Sequence, residues 1–453
     1  MRKARLVAAF ACVIAAGTSG AALGQTGAGL VRSFPLDRGV AQERELYAKL
    51  HIQERYGVAF RPYARVCNDP RPGVANCLAM IVTDDDGVPL AFDPNKQEVP
   101  GFSPKQLRAA YGVSGVASGQ PIIGIVDAYF DPAALSDVKI YSKQFNLPVL
   151  PKCHGAVASS LVPCLEIVNQ RGGHKLPTTV GWTDEQSIDL DMAHALCENC
   201  SILLIEADTN GLGDLFPSEN TAANLGANVI SNSWISAEFP GEPSADAQFF
   251  THPGVVLTAG TGDHGYADGI GYPAISPNVV GVGGTSLFFS ANGKKYSSEI
   301  AWSGTGSGCS AVEPRPSWQP SLSGCPDNRT MADIAVVGDP DTGVAVYSSG
   351  DCSGGASCWF DVGGTSISSP IVAAMYALAG NIQAGNMQAA SMLYANASKR
   401  NSRDIDTGSN GTCAFAYLCN AVPGYDGPTG LGTPKGLGIF TVSDPRIEQG
   451  SGR

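Results

Sequence analysis

Short apolar runs recur along the middle of the chain: Pro121–Val126, Ser201–Ile205, Asn228–Ser231, Val255–Ala259 and Val279–Val282. Each has strand length, is rich in β-branched residues and is apolar on both faces, the pattern of strands buried in a parallel sheet with a helix layer on either side. Helical patterns alternate with them. Trp182–Leu196 reads as one helix, with Thr183 or Asp184 as its cap. Ile371–Leu378 reads as part of another, with Pro370 suited to its first turn. The alternation predicts an α/β fold from about residue 106 onward, with active residues at the carboxyl ends of the strands.

The N-terminus is patterned differently. Met1–Arg5 is a short basic stretch and Leu6–Ala16 an apolar run too short to span a bilayer comfortably. Ala22-Leu23-Gly24 then reads as a cleavage site, which predicts a secretory signal peptide over residues 1–24. A lipoprotein cysteine at Cys12 is the rival reading. Residues 25–105, mixed in pattern and rich in Pro turns, read as a separate N-terminal segment. Residues 106–442 form the main domain, and 443–453 a flexible tail. No later stretch reaches the ~18 apolar residues of a spanning helix, so no membrane partner is expected after signal removal. The expected location is extracellular or periplasmic.

Of the 13 cysteines, those after Cys12 fall into six sequence-local pairs: Cys67/Cys77, Cys153/Cys164, Cys197/Cys200, Cys309/Cys325, Cys352/Cys358 and Cys413/Cys419. An even count in a secreted chain favours disulfides, although sequence leaves the connectivity open. Zinc at Cys197-x-x-Cys200 would want a second ligand pair of similar spacing, and the sequence has none.

Composition narrows the function. Over 453 residues the net charge is −12, only 15% of residues are charged and 43% are hydrophobic. Nucleic acid is a poor partner for such a surface, because phosphate binding needs clustered Lys and Arg. The apolar fraction is enough for a full core.

Candidate chemistry sits in four places. Gly363-Gly364-Thr365-Ser366-Ile367-Ser368-Ser369-Pro370 puts a serine at the mouth of a helix, where the N-terminus helps hold developing negative charge; a plain helix cap at Thr365 or Ser366 is the bland reading. A serine nucleophile needs a base. None of His51, His154, His174, His194, His252 and His264 stands in a His-Gly-Thr-type helix start, and Asp127 alone leaves a subtilisin-type triad incomplete. In the 182–196 helix, Glu185 and Asp189 are four apart and share one face. Spacing alone favours a solvated acidic face there; buried together, the two would share protons and one pKa would rise. Asp184 and Asp191 are rival acidic positions. Asp263, in Ala259-Gly260-Thr261-Gly262-Asp263-His264-Gly265, follows a strand; it is an Asx turn or, if protonated, a donor for an oxyanion. Asp404–Gly411 and Val422–Gly432 form two turns whose oxygens suit Ca²⁺ or are plain Gly/Asp turns.

Taken in order, these motifs resemble the sedolisin family of serine-carboxyl peptidases, subtilisin-fold enzymes that work in acid. The likeness runs from about Tyr111 to about Phe440. It includes the Glu-x-x-x-Asp helix, the Asp263 turn, the Ser366 octapeptide, Tyr272-Pro273-Ala274, Val282–Ser286, Ala301-Trp302-Ser303 and Gly430-Leu431-Gly432-x-Pro434. The resemblance implies a subtilisin-like three-layer fold with a mostly parallel sheet and a short N-terminal pro-segment. It implies Ser366 as nucleophile, Glu185 as general base, Asp189 as its orienting partner and Asp263 as oxyanion stabiliser. It also implies one structural Ca²⁺ held by Asp404 and Asp426 with the carbonyls of Ile405, Val422 and Gly424, where Val422 stands in place of the family's usual small residue. The expected function is a secreted acid serine endopeptidase, a monomer acting on proteins or peptides. The alternatives are a neutral His-dependent subtilisin-like peptidase and an inactive binding protein on the same fold.

Overall fold

The computed structural model describes residues 23–26, 29–67, 73–90, 99–290, 292–350, 352, 358–380 and 388–441. The signal-peptide reading falls almost wholly, and the tail reading wholly, outside them.

All five predicted apolar runs become strands of one sheet: Ile122–Ala128, Ser201–Ala207, Val229–Asn232, Val256–Gly260 and Val280–Phe289. Three strands join them. Leu165–Asn169 lies at one edge beside Ser201–Ala207; Ile334–Val337 and Tyr296–Ala301 both pair with Val280–Phe289. The pairings are parallel except the one to Tyr296–Ala301.

Alternation along the strands builds three layers. Ile123, Ile125, Ile202 and Leu204 point to one face, into a core completed by Ile188 and Met192 of helix Thr183–Leu196 and by Ile367, Ile371 and Met375 of helix Thr365–Ala379. Ile122, Val126, Leu203 and Ile205 point to the other face, against Leu215, Phe216 and Ala222 of helix Leu212–Asn224. Gly124 serves this second interface: a Cβ there would stand 3.1 Å from the Ala227 side chain.

The N-terminal segment is woven into the larger unit where it is described. Met80–Val82 is sandwiched between Trp359–Gly363 and Tyr63–Arg65 in a four-stranded antiparallel sheet. Ala79 and Ile81 belong to the main core. Tyr47 donates a 2.7 Å hydrogen bond to buried Asp339, and Tyr56 stacks on Phe288.

All six local cysteine pairs are disulfides, Cys197–Cys200 among them, so the zinc reading fails there. Among the described residues, no helix is long and apolar enough to cross a membrane.

Candidate active site

Two helices carry the site, and both are buried along their length. The Thr183–Leu196 helix has no solvated face: all fourteen of its residues are buried. This corrects the expectation drawn from spacing alone, which weighed charge repulsion but could not see that the helix lies beneath helix Thr365–Ala379. Its cap is Trp182, in a left-handed conformation, not Thr183 or Asp184. Asp184 instead accepts a 2.6 Å bond from the Ser348 hydroxyl, and Asp191 accepts one from Tyr347 N–H, so both rivals of the Glu185/Asp189 pair hold the neighbouring sheet.

Helix Thr365–Ala379 begins at Gly364, and Pro370 lies inside it rather than in its first turn. Proline has no N–H to give the carbonyl four residues earlier. That carbonyl belongs to Ser366, and it receives the Ser233 hydroxyl at 3.2 Å instead. The same hydroxyl lies 2.6 Å from Asp189 Oδ1. Ser233 thus ties the serine's backbone to the second carboxyl of the pair; sequence reading missed it, and only its place just past a strand end hints at it.

Ser366, Glu185 and Asp189 are all fully buried. The Ser366 hydroxyl reaches Glu185 closely enough to favour the ionised carboxylate, while its better-aligned hydrogen bond goes to the Ser233 carbonyl at 3.4 Å. Glu185 Oε2 also accepts from Leu78 N–H at 3.1 Å. Burial, and then the charge of Asp127, push Glu185 well above the ordinary glutamate range. Burial, Asp127 and Glu185 do the same to Asp189. Asp127, at the carboxyl end of its strand, is itself pushed up to about 8 by burial and Asp131, and neither of its carboxyl oxygens has a hydrogen-bond partner. Three carboxyls therefore compete for protons. Hydrogen bonds pull against that rise: Leu78 and Ser366 favour the charged form of Glu185, and Ser233 that of Asp189.

Asp263 faces the start of the same helix. Its Oδ1 accepts from both the N–H and the hydroxyl of Thr365, each at 2.7 Å. A partner 102 residues away is not an Asx turn. Oδ2 has no partner. Burial pushes Asp263 up to about 7, with the Thr365 bonds and the Arg65 charge pulling it back.

No hydrogen bond of Ser366 reaches a histidine. His194, at the far end of the acidic helix, is buried against the Pro148 carbonyl. His264 lies beside Arg38 and Asp37.

The two C-terminal turns also meet. Asp404 Oδ2 accepts from Gly424 N–H at 2.9 Å, and Asp426 Oδ2 from Val422 N–H at 3.1 Å. Burial, with Asp404 adding repulsion, raises Asp426 to about 7. Two facing carboxylates with oxygen-rich turns around them fit a hard cation such as Ca²⁺. Among the described residues, no three His, Cys, Asp or Glu side chains gather as a ligand set, so backbone carbonyls such as those of Ile405, Val422 and Gly424 would have to complete it.

Known proteins resemble the chain in sequence and in fold. The subtilase family pattern matches residues 179–410, just over half of the chain. Sedolisin from Pseudomonas sp. (strain 101) is 35% identical over 188 residues, covering 38% of this chain and 30% of the relative. Kumamolisin from Bacillus sp. (strain MN-32) is 29% identical over 294 residues, covering 58% and 51%. The chain thus matches about half, or less, of the length of these relatives. The solved structure of Pseudomonas sedolisin, a serine-carboxyl proteinase complexed with two molecules of pseudo-iodotyrostatin, superposes with a TM-score of 0.62 at 24% identity, covering 75% of this chain and 96% of that one. This likeness bears out the three-layer subtilisin-like architecture. The chain belongs to the subtilase family, and the sedolisin resemblance read from its motifs stands.

Proposed function

We propose that the chain is a secreted serine-carboxyl endopeptidase acting in acid on proteins or peptides. The observation that carries this reading is the contact of Ser366 with a buried Glu185, backed by Asp189 and faced by Asp263.

Ser366 attacks the peptide carbonyl while Glu185 takes its proton. Asp189, fixed by Ser233, repels a second negative charge, so Glu185 takes the proton more readily, and Glu185 later returns it to the leaving amine. Protonated Asp263 donates to the oxyanion from Oδ2, since Oδ1 is already filled by Thr365. A backbone N–H at the mouth of the helix supplies a second donor. Each such donor contributes about 3 kcal/mol in comparable enzymes. Water then hydrolyses the acyl-enzyme. Residues 25–105 act as a pro-segment that assists folding and inhibits the site. A structural Ca²⁺ between Asp404 and Asp426 would offset their mutual repulsion and join the two turns.

The test is casein digestion across pH 3–8. Digestion favoured below neutrality and abolished in Ser366→Ala is expected. Digestion that is unchanged in Ser366→Ala, or that peaks above pH 7, rejects the reading.

A further inference from the structure

The parallel sheet has two ends of different character. Asp127 and Asp263 lie at its carboxyl end, with the start of the Ser366 helix. The amino end is formed by the loops that lead into the strands. The Leu161 carbonyl accepts from Gln120 Nε2 at 2.9 Å, and Leu165 N–H donates to the Pro151 carbonyl at 2.9 Å. Asn199 bonds Ala117 through both its Oδ1 and its Nδ2, at 2.8 and 3.0 Å. Ser118, Gln120, Asn228 and Gly254 line one recess of about 230 Å³, so the loops before Ile122, Val229 and Val256 share this surface. Helix Ala134–Gln144 follows strand Ile122–Ala128 and runs back along the sheet. The residues after it reach the same end, where the Pro148 carbonyl meets His194 at 2.7 Å.

Four apolar side chains stand out of this end into solvent. Leu161 is 91% exposed, Val116 63%, Val162 58% and Val149 44%. Side chains so exposed add nothing to the core. Yet the loop that carries Leu161 and Val162 is braced. The Cys153–Cys164 disulfide closes it, buried Val157 donates its N–H to Glu166 at 2.6 Å, and the Ser160 hydroxyl donates to the Val162 carbonyl at 2.6 Å. A fixed tip that holds apolar groups out in water marks a contact surface.

Charge says what it contacts. The chain carries −12 overall, but residues 138–165 contain Lys139, Lys143 and Lys152 and no Asp or Glu. Lys143 and Lys152 are exposed, and among the described residues neither pairs with a carboxylate. The loops at 112–121, 145–164, 197–200, 225–228, 251–255 and 276–279 hold one acid among them, Glu198, which pairs with Arg108 at 3.7 Å. At 0.1 M salt, charges more than about 10 Å apart are largely screened from one another, so an approaching surface meets these lysines rather than the net charge. A cationic, apolar end fits an anionic lipid surface, with lysines on the headgroups and Leu161 and Val162 at the acyl boundary. An acidic polysaccharide would offer Leu161 no apolar phase. No helix among the described residues is long and apolar enough to cross a membrane, and lying on one needs none.

We infer that the amino end of the sheet is a docking face for anionic lipid bilayers, with Leu161 and Val162 entering the surface and Lys143 and Lys152 drawn to its headgroups. The expectation of no membrane partner weighed spanning segments alone. Docked this way, the chain keeps the Ser366 site, at the opposite end of the sheet, turned toward solution. Such docking goes beyond the peptidase reading and does not depend on it.

The experiment mixes the chain with unilamellar vesicles at pH 6 and 0.1 M salt and measures the fraction that sediments with them. All chains carry Ser366→Ala so that digestion does not intrude, and mass spectrometry confirms that residues 1–24 are absent, so that an apolar leader is not what binds. Vesicles of equal parts phosphatidylcholine and phosphatidylglycerol are expected to bind at least tenfold more tightly than phosphatidylcholine alone. Leu161→Asp with Val162→Asp, and Lys143→Glu with Lys152→Glu, should each weaken binding to the mixed vesicles at least tenfold, with Tm unchanged. No binding to mixed vesicles, or unchanged binding in either double variant, overturns the inference. So does a dimer in vesicle-free solution that Leu161→Asp dissociates, because the face then joins two copies of the chain.

Discussion

A carboxyl group stripped of water by burial keeps its proton to higher pH, and Asp263 turns that burden into a donor. Its two oxygens have different duties: Oδ1 is filled by Thr365, and Oδ2 is left for whatever carries charge in front of the helix. With its pKa pushed up to about 7 by burial, the donor is present below that value and lost as pH rises through it. Asparagine fits the same slots, accepting with its oxygen and donating with its NH₂ at every pH. Asp263→Asn should therefore retain activity above pH 7, where the wild type declines, and Asp263→Ala should lose roughly 10²–10³-fold in kcat. Matching alkaline limbs in the kcat profiles of wild type and Asp263→Asn would show that another group sets the decline. The residue types of this site were legible in the sequence, since Glu185, Asp189, Asp263 and Ser366 all stand in distinctive local contexts. Ser233 and Leu78 were not legible, because their roles come from partners 44 and 107 residues away, and nothing in their own neighbourhoods records those contacts.

Elements obey a similar division. The sheet strands could be read because β-branched runs of strand length mean the same thing wherever they occur. The Glu185 helix misled because its composition, with three aspartates and a glutamate, matches a surface helix, and only its place between two buried layers makes it a core element. The C-terminal turns are an element whose character depends on a bound ion. If Ca²⁺ sits between Asp404 and Asp426, chelation should lower the Tm by several degrees and Asp426→Ala should remove that response. A Tm unmoved by chelator and by added Ca²⁺ would mean that the backbone N–H groups of Val422 and Gly424 hold these carboxylates unaided.

Among the described residues are several buried acids whose carboxyl groups burial pushes up. Burial raises Asp127 and Glu206 to about 8 and Asp263 to about 7. Unfolded, such groups titrate near 4. Because their folded pKa values are the higher ones, the stability they contribute is full below about pH 4 and is lost as pH rises through 7 to 8. His194 acts in the opposite sense: held near 4 by burial, it costs stability as pH falls below about 6.5. The acids outnumber it. The Tm of the full chain should fall by roughly 5–10 °C between pH 4 and pH 8, and a Tm that rises over that interval would mean these acids are paired in solution. The α/β pattern made the parallel sheet readable, and the even cysteine count made disulfides readable, with their connectivity left to the structure. The threading of residues 73–82 past the nucleophile was not readable, since a ten-residue segment of mixed pattern gives no sign of which groove it fills.

The central claim is that a helical carboxylate, not an imidazole, takes the proton of Ser366. Its most direct test is kcat/KM of Glu185→Gln against wild type on one peptide substrate at pH 4, an isosteric change that keeps the Leu78 N–H acceptor. A loss of about 10²–10⁴-fold, the worth of a positioned general base, is the predicted result. Full activity in Glu185→Gln, with activity lost instead in His264→Ala, would contradict it.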